Sequence, residues 1–331
     1  MMDTDMPVGV IGAGAWGTAL AQVIASDGTA VRIWAMESDV VDAINTTHEN
    51  SVYLPGHPLS SGIAATADKA DMAGCAFYLL VCPAQNARAT LSDMPLGAAP
   101  IVLCAKGIEA RTRLLMSEVA VEMAPKSPIA VLSGPTFAHE VAAGLPTAVT
   151  LASAQLPLAM DLAERIARAH FRPYISTDVI GAEIGGAVKN VLAIACGVIA
   201  GAGIGENARA AIIARGYAEM ARFGLARGAR AETLAGLSGL GDLVLTCSST
   251  ASRNFSLGKG LGEGRTAADM LGNRASVAEG AYTAPVLQRA AREAGVDMPV
   301  VDAICALLDG TMTVDSVAEA LLTRPLRAEA L

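Results

Sequence analysis

The stretch Val8–Gly17, VGVIGAGAWG, decides how the first half of the chain folds. Its apolar beginning, Val8–Ile11, predicts a buried β-strand, and Gly12, Gly14 and Gly17 follow at once in the pattern GxGxxG. Glycines at this spacing permit a tight turn and let the backbone approach a pyrophosphate at a helix N-terminus. Because a predicted strand precedes the pattern and a predicted helix follows it, we interpret it as a dinucleotide-binding turn rather than a turn without a ligand.

The segment after these glycines continues a strand–helix–strand unit. A helix is predicted over Gly14–Ala25, and Asp27 and Gly28 supply a turn before a second strand at Ala30–Trp34. Residues just beyond such a second strand contact the ribose of a dinucleotide, where an acid accepts the hydroxyls and a base favours a 2′-phosphate. The residues at this place therefore indicate which dinucleotide is preferred.

Met36 and Glu37 occupy that place in this chain. The carboxylate of Glu37 suits ribose hydroxyls, and Met36 offers no positive charge. Both features favour NAD over NADP, although Arg32 remains a candidate partner for a 2′-phosphate.

The remaining apolar pattern divides the chain into two domains. Further strands are predicted at Ala76–Cys82, Ile101–Cys104, Ile129–Leu132 and Ala148–Leu151. Past about Ile180 the strand pattern gives way to Ala-rich amphipathic segments at Gly186–Ala200, Asn207–Phe223 and Ala281–Ala294. We predict an α/β protein, with an N-terminal Rossmann-like, doubly wound, mostly parallel sheet over residues 1–180 and an all-helical C-terminal domain over 181–331.

Charge and hydropathy exclude several classes of partner. The 331 residues carry a formal net charge of -8, which disfavours binding to nucleic acid or to anionic lipid. The long uncharged stretch Val141–Met160 contains Pro146 and Pro157, so it is a poor membrane span. Asp3 and Asp5 stand where a secretory signal would carry basic residues. We expect a cytoplasmic protein without a membrane segment.

Cysteines and histidines give no sign of a disulfide framework or a metal site. The 6 cysteines form no CxxC pair, and the 4 histidines lack the spacing of zinc ligands. We therefore expect reduced thiols and no bound metal.

Several polar residues follow predicted strands or interrupt apolar helices, and each has an ordinary structural alternative. Lys106 follows a strand, as does the segment Ser133–Thr136, and either is also compatible with a simple turn. Lys189 and Asn190 open an apolar helical segment, where the lysine either acts chemically or extends to solvent. Asp242 lies among apolar residues and glycines, so its burial requires a cation, for which Lys189 is the candidate.

Two other polar groups are candidate functional residues. Ser252, Arg253 and Asn254 predict a helix start suited to a phosphate, with an ordinary N-cap as the alternative. His139 is a rival acid or base, although an exposed histidine is the commoner case.

Seven segments together resemble the soluble NAD(P)-dependent glycerol-3-phosphate dehydrogenases. They are IGAGAWGTALA (11–21), CAKGIE (104–109), SGPTFA (133–138), VKNVLAI (188–194), NARAAII (207–213), GLGDLVLTC (239–247) and SRNFSLG (252–258). The resemblance implies interconversion of dihydroxyacetone phosphate and sn-glycerol 3-phosphate, in the service of phospholipid synthesis. It also implies that Lys189 accepts or donates the proton and that the enzyme is a homodimer.

The resemblance assigns further roles by position. The residues implied at the substrate are Lys106, Gly134, Thr136, Lys189, Asn190, Asp242, Ser252, Arg253 and Asn254, with the last two at its phosphate. Those implied at the cofactor, besides the glycines, are Ala15, Trp16, Lys106, Ala138, Arg253, Val277 and Glu279. Many bacterial members of the family have Ser at the place of Ala15 and Arg or His at that of Met36. These departures again favour NAD, within a general expectation of NAD or NADP.

The charge next to Lys189 predicts a direction of reaction. An unperturbed lysine has a pKa of about 10.4, and a paired Asp242 would favour its charged form. We therefore expect reduction of dihydroxyacetone phosphate to be favoured. Two alternatives remain: a dehydrogenase of the hydroxy-acid or ketopantoate type, and a protein that senses NAD without turnover.

Overall fold

The computed structural model describes residues 6–271 and 278–322. The chain forms two compact units, the first comprising Met1–Lys106 and Leu114–Val179 and the second comprising Gly107–Arg113 and Ile180–Leu331. The segment 107–113 thus groups with the second unit although it lies inside the first along the sequence.

The first unit is built on one large sheet. Its strands are β1 (Val8–Ile11), β2 (Val31–Trp34), β3 (Glu49–Asn50), β4 (Leu54–Pro58), β5 (Ile63–Thr66), β6 (Tyr78–Leu80), β7 (Ile101–Leu103), β8 (Ile129–Ser133), β9 (Thr147–Ala152) and β10 (Phe171–Ser176). Eight of them pair in the order β10-β9-β8-β7-β6-β1-β2-β5, and β3 pairs with β4 separately. All neighbours in the large sheet are parallel except β8 and β9. The predicted mostly parallel sheet is confirmed.

Six α-helices belong to the described part of the first unit. They are α1 (Ala15–Ala25), α2 (Ser38–Thr47), α3 (Ala87–Ser92), α4 (Met116–Met123), α5 (Ala138–Ala142) and α6 (Leu156–Ile166). The inner strands are buried on both faces, as β1 and β7 illustrate, because helices cover a parallel sheet on both sides.

Every predicted strand is present, but two strands of the large sheet were not predicted. β5 is a short Ala-rich segment with only one buried residue, and β10 contains Pro173 and exposes Tyr174 and Ile175. Both lie at the edges of the sheet, where a strand needs no continuous apolar run and tolerates proline. Edge strands therefore lack the pattern that identified the inner strands.

From residue 180 onward, the regular secondary structure of the second unit is helical throughout the described residues. Its helices are α7 (Val179–Gly201), α8 (Glu206–Ala226), α9 (Ala231–Leu234), α10 (Asp242–Cys247), α11 (Arg253–Gly262), α12 (Ala267–Leu271), α13 (Glu279–Glu293), α14 (Pro299–Leu308) and α15 (Val314–Leu322). A π-helical turn, Leu237–Gly241, leads directly into α10. The predicted all-helical character of this part is confirmed.

The helix α7 forms the centre of the second unit. It has a mean hydropathy of 1.7 over its most apolar window and is long enough to cross a membrane, yet 89% of that window is buried inside the protein. Among the described residues no other helix has this length and hydropathy. The prediction that Lys189 opens a helical segment was wrong, because α7 begins at Val179 and places Lys189 in its middle. The glycines before Lys189 do not end the helix, and one of them allows a close approach described below.

Candidate functional site

A buried ion pair links α7 to α10 in the second unit. The Lys189 Nζ donates a hydrogen bond to Asp242 Oδ1 at 2.5 Å, and the two side chains are only 8% and 0% exposed. The ion pair between Asp242 and Lys189 that the sequence predicts is therefore present in the structure. A buried carboxylate needs such a cation because its desolvation is costly otherwise.

Thr246 completes this group, and sequence reasoning missed it. Lys189 Nζ also donates to Thr246 Oγ1 at 3.0 Å, while the Thr246 hydroxyl donates to the carbonyl oxygen of Asp242 at 2.7 Å. Thr246 lies four positions after Asp242 on one helix face, and that spacing was the available signal. The ammonium group of Lys189 is thus held by two oxygens on α10.

Close backbone packing sets the position of the ion pair. Gly185 lies one helical turn before Lys189, and a Cβ atom there would overlap the carbonyl oxygen of Ser238, one turn before Asp242. Only glycine allows α7 and the π-helical turn to touch in this way. Their contact therefore brings Lys189 and Asp242 within reach of each other, and π-helical turns are frequent at functional sites.

A pair of thiols lies next to the ion pair. Burial raises the pKa of Cys247 well above its ordinary value, a hydrogen bond shared with Cys196 raises it further, and the charge of Lys189 opposes the shift. Both cysteines are fully buried and carry free thiols. The Cys247 thiol is therefore neutral and lies near the ammonium group as a weakly polar side chain.

A second polar group joins α7, α11 and α13. Asn254 Nδ2 donates to Asn190 Oδ1 at 3.0 Å, and the Gly280 N–H donates to Asn254 Oδ1 at 2.8 Å. The predicted helix start at Ser252 is confirmed, and Ser252 is its N-cap, as in the alternative interpretation, because its Oγ accepts the Phe255 N–H at 3.2 Å. Arg253 begins α11 with its residue exposed. Asn190 is adjacent to Lys189 in the sequence. The ion pair and the asparagine hydrogen bonds are therefore both attached to one stretch of α7.

The glycine loop of the first unit fits a dinucleotide. Gly12 has a φ of +114°, and a Cβ there would lie 3.0 Å from the Cys82 nitrogen. A Cβ on Gly17 would overlap the Gly12 carbonyl oxygen, whereas Gly14 faces open space with no heavy atom within 4 Å. The N-terminus of α1 has no side-chain cap, so its N–H groups suit a pyrophosphate.

The two residues at the tip of this loop are half-buried. Ala15 begins α1, and Trp16 carries an indole Nε1 that is buried without a hydrogen-bond partner in the described protein. A buried donor of this kind normally has a partner. The orphaned indole therefore supports a bound group at this loop.

Lys106, Gly134 and Thr136 come together at the carboxyl ends of β7 and β8. Lys106 Nζ donates to the Gly134 carbonyl oxygen at 3.2 Å, and the Thr136 hydroxyl donates to the same oxygen at 3.3 Å. A Cβ on Gly134 would lie 2.8 Å from the Val149 Cα, so glycine lets β8 and β9 approach. Lys106 is half-buried and not the solvated turn lysine of the alternative interpretation.

The carboxylate of Glu37 is held at the end of β2. The Tyr53 hydroxyl donates to Glu37 Oε1 at 3.0 Å, while Met36 is 74% exposed. Arg32 donates from Nη1 to the carbonyl oxygens of Asp71 and Ala73 at 2.7 and 2.8 Å. The guanidinium group that was a candidate for a 2′-phosphate is thus bonded to backbone.

The remaining predicted residues are dispersed. Ala138 begins α5, and the following His139 is exposed and stacks on Phe137 with ring centroids 5.8 Å apart. Glu279 begins α13, and Val277 lies outside the described residues. Within residues 6–271 and 278–322, no three His, Cys, Asp or Glu side chains group as metal ligands.

Comparison with known proteins gives the relatives of this chain. The family models for the N-terminus and the C-terminus of NAD-dependent glycerol-3-phosphate dehydrogenase match residues 7–159 and 178–319. The sequence is 60% identical over 321 residues to a glycerol-3-phosphate dehydrogenase (NAD(P)+) of Sphingopyxis alaskensis, covering 97% of each chain. It is 62% identical over 322 residues to that of Erythrobacter litoralis, again covering 97% of each.

A solved structure extends this likeness to the fold. The glycerol-3-phosphate dehydrogenase of Coxiella burnetii is 39% identical and superimposes with a TM-score of 0.93, over 97% of this chain and 100% of that one. Two family models covering most of the chain, together with relatives at this identity, place the chain in the NAD-dependent glycerol-3-phosphate dehydrogenase family.

Proposed function

We propose that this chain, an NAD(P)-dependent oxidoreductase, interconverts dihydroxyacetone phosphate and sn-glycerol 3-phosphate. The observation that carries the proposal is the buried ammonium group of Lys189, which Asp242 and Thr246 hold from one side. A fixed, desolvated ammonium suits proton transfer to an oxygen that gains negative charge during reduction. The hydroxy-acid type and the NAD sensor are both disfavoured by membership of the family.

Lys189 and Asp242 have different roles in the reaction. When bound, the nicotinamide cofactor supplies the hydride to the ketone carbon or takes it from the alcohol. Lys189 donates its proton to the developing alkoxide in reduction and accepts it in oxidation. Asp242 orients the ammonium group and favours its charged form, so reduction is the favoured direction.

The phosphate of the substrate supplies binding energy away from the reacting carbon. Arg253 and Asn254, at the start of α11, lie where a helix N-terminus favours an anion. Lys106, Gly134, Thr136, Asn190 and Ser252 are the further substrate residues of the proposal. Because this energy aligns the carbonyl group, free glycerol is expected to be a poor substrate.

We further propose a preference for NAD over NADP. Glu37, held by Tyr53, is placed to accept the ribose hydroxyls and to repel a 2′-phosphate. Arg32 is engaged by two backbone carbonyls, and Met36 carries no charge. The cofactor residues of the proposal are Gly12, Gly14, Ala15, Trp16, Gly17, Met36, Glu37, Lys106, Ala138, Arg253, Val277 and Glu279.

The cellular setting belongs to the proposal as well. We propose a cytoplasmic homodimer that supplies sn-glycerol 3-phosphate for phospholipid synthesis and binds neither nucleic acid nor membrane. Residues 1–180 would bind the dinucleotide, and residues 181–331 the substrate. The net charge of -8 and the 6 buried cysteines, none of which forms a disulfide, support this setting.

The test compares wild type, Lys189→Ala and Lys259→Ala for oxidation of NADH and NADPH with dihydroxyacetone phosphate. Lys259 pairs with Glu263 at the surface and serves as the matched control. Turnover by wild type and the control, with a loss of roughly a thousandfold or more in Lys189→Ala at unchanged NADH affinity, supports the proposal. Wild-type silence with both cofactors would refute the substrate assignment.

A further inference from the structure

A buried asparagine from a distant part of the sequence is hydrogen-bonded to the glycine loop of the first unit. Asn50, the last residue of β3, is 0% exposed. Its Nδ2 donates to the Ala13 carbonyl oxygen and to Thr18 Oγ1, each at 2.8 Å, and its Oδ1 accepts the Tyr53 N–H at 3.1 Å. Ala13 belongs to the glycine loop and lies 37 positions before Asn50 in the chain. The asparagine therefore holds the loop from outside it.

These bonds use both hydrogen-bond donors of the Asn50 amide. An asparagine NH2 group has two donors, and here one meets the Ala13 carbonyl oxygen and the other meets Thr18 Oγ1. The orientation of the amide is fixed, because the Tyr53 N–H only donates and so requires the amide oxygen. The ionised phosphates of a dinucleotide accept hydrogen bonds and donate none. Asn50, fully buried and without a donor left for a phosphate, can act on a dinucleotide only through its neighbours.

The Ala13 carbonyl group determines where the next N–H group points. In a trans peptide the carbonyl oxygen and the following N–H lie on opposite sides of the bond. Asn50 and the Thr18 hydroxyl, which donates to the same oxygen at 3.3 Å, hold the Ala13 carbonyl toward the interior. The Gly14 N–H is thereby directed away from Asn50, and within residues 6–271 and 278–322 it meets no protein acceptor. Gly14 also borders open space, since a Cβ there would have no heavy atom within 4 Å.

We propose that Asn50 is a positioning residue for the pyrophosphate of the cofactor, acting through the Ala13 carbonyl group to aim the Gly14 N–H at a phosphate oxygen. This inference rests on the proposed place of the dinucleotide at the glycine loop. The same short segment also reaches the proposed ribose end, because the Tyr53 hydroxyl donates to Glu37 Oε1 at 3.0 Å. The turn from Asn50 to Tyr53 thus connects the loop that receives the pyrophosphate to the carboxylate that receives the ribose.

Asn50→Asp keeps the shape of the side chain and removes both donors. The carboxylate still accepts the Tyr53 N–H but repels the Ala13 carbonyl oxygen, so this peptide turns and withdraws the Gly14 N–H from the phosphate. We expect Kd for NADH and for ADP-ribose to rise about tenfold or more, the effect of one lost hydrogen bond to a charged group. Adenosine, which has no pyrophosphate, should bind nearly as before, and kcat at saturating NADH should change far less than the Kd for NADH.

Two further variants bracket this result. Asn45→Asp makes the same chemical change at an exposed position of α2, where Nδ2 donates to the Ala65 carbonyl oxygen at 2.9 Å and Oδ1 accepts the Ala65 N–H at 2.8 Å. It should bind NADH, ADP-ribose and adenosine as wild type does. Thr18→Val removes one hydroxyl group but leaves the bond from Asn50 to Ala13, so it should weaken NADH binding only a few-fold.

The pattern of affinities decides between positioning and general support. Equal weakening of ADP-ribose and adenosine in Asn50→Asp, or unchanged NADH affinity in that folded variant, would overturn the proposal. So would a greater loss of NADH affinity in Thr18→Val than in Asn50→Asp. Failure of the wild type to bind NADH would instead refute the proposed dinucleotide site.

Binding to the unaltered protein gives a readout that does not depend on whether a variant folds. In protein labelled with ¹⁵N-glycine and ¹⁵N-asparagine, titration with ADP-ribose is expected to shift the Gly14 amide signal more than the Asn50 side-chain NH2 signals. Those NH2 protons should also exchange slowly with D2O, because they are buried and hydrogen-bonded. A larger shift at Asn50 than at Gly14 would indicate direct contact with the ligand and overturn the proposal.

Discussion

Gly258 on α11 lies against the carbonyl oxygen of Ile194 on α7, so closely that a Cβ atom would overlap it. Gly262 meets Val198 in the same way one turn later, and from the other side Gly197 meets the Phe255 carbonyl oxygen. The two helices therefore touch along their backbones. This contact determines how far the start of α11 reaches, and so brings Asn254 to Asn190.

Gly258→Ala is expected to separate the two helices. Because the added methyl group meets backbone, which cannot turn aside as a side chain can, the free energy of unfolding should fall by about 1–3 kcal/mol. KM for dihydroxyacetone phosphate should rise with it. Urea unfolding and steady-state kinetics measure the two effects.

Gly260→Ala on the same helix is the matched control. There a Cβ would meet only the flexible end of Met270, and alanine favours helix over glycine by roughly 0.5–1 kcal/mol. Its stability should be unchanged or slightly higher. Equal loss in both variants would show that helix α11 does not depend on backbone contact at Gly258.

Asp242→Asn tests the partner of the proposed acid. The substitution keeps the shape but leaves the ammonium group of Lys189 without its counter-charge, which typically costs 3–5 kcal/mol when a buried pair is broken. We expect lower thermal stability and a fall in kcat for reduction of roughly a hundredfold or more. Asp302→Asn, which disturbs an exposed contact to Arg292 at 3.2 Å, is the control and should change neither.

Tyr53→Phe tests how Glu37 selects the cofactor. Without the hydroxyl group the carboxylate loses its anchor at the end of β2, so NADH should bind a few-fold more weakly while NADPH changes less. Fluorescence titration with each dinucleotide measures this without turnover. If both dinucleotides weaken equally, Tyr53 supports the loop in general and does not set the preference.

Much of this site could be predicted because its signals are local. The glycines after β1 stand next to a strand and a helix, and Asp242 is an isolated charge among apolar residues that demanded a cation. Thr246 was marked only by its spacing from Asp242, and Tyr53 had no local signal, since each acquires its role only when distant segments meet. The start of α7 was misplaced for a related reason: Gly185 suggests a helix end locally, but its function is contact with Ser238.

The buried thiols should be unreactive in the native protein and should make its stability depend on pH. Burial raises the pKa of Cys305 to about 11, with Asp302 and Asp309 adding to the shift, and burial likewise raises that of Cys247. Since the thiolate is the reactive form, native protein should resist iodoacetamide at neutral pH, whereas all 6 cysteines react in guanidinium.

Above about pH 8.5 the unfolded chain loses thiol protons that the native state retains, so the free energy of unfolding should decline with rising pH. Cys305→Ala removes one such proton and should make that decline shallower; an unchanged slope would mean that Cys305 ionises equally in both states.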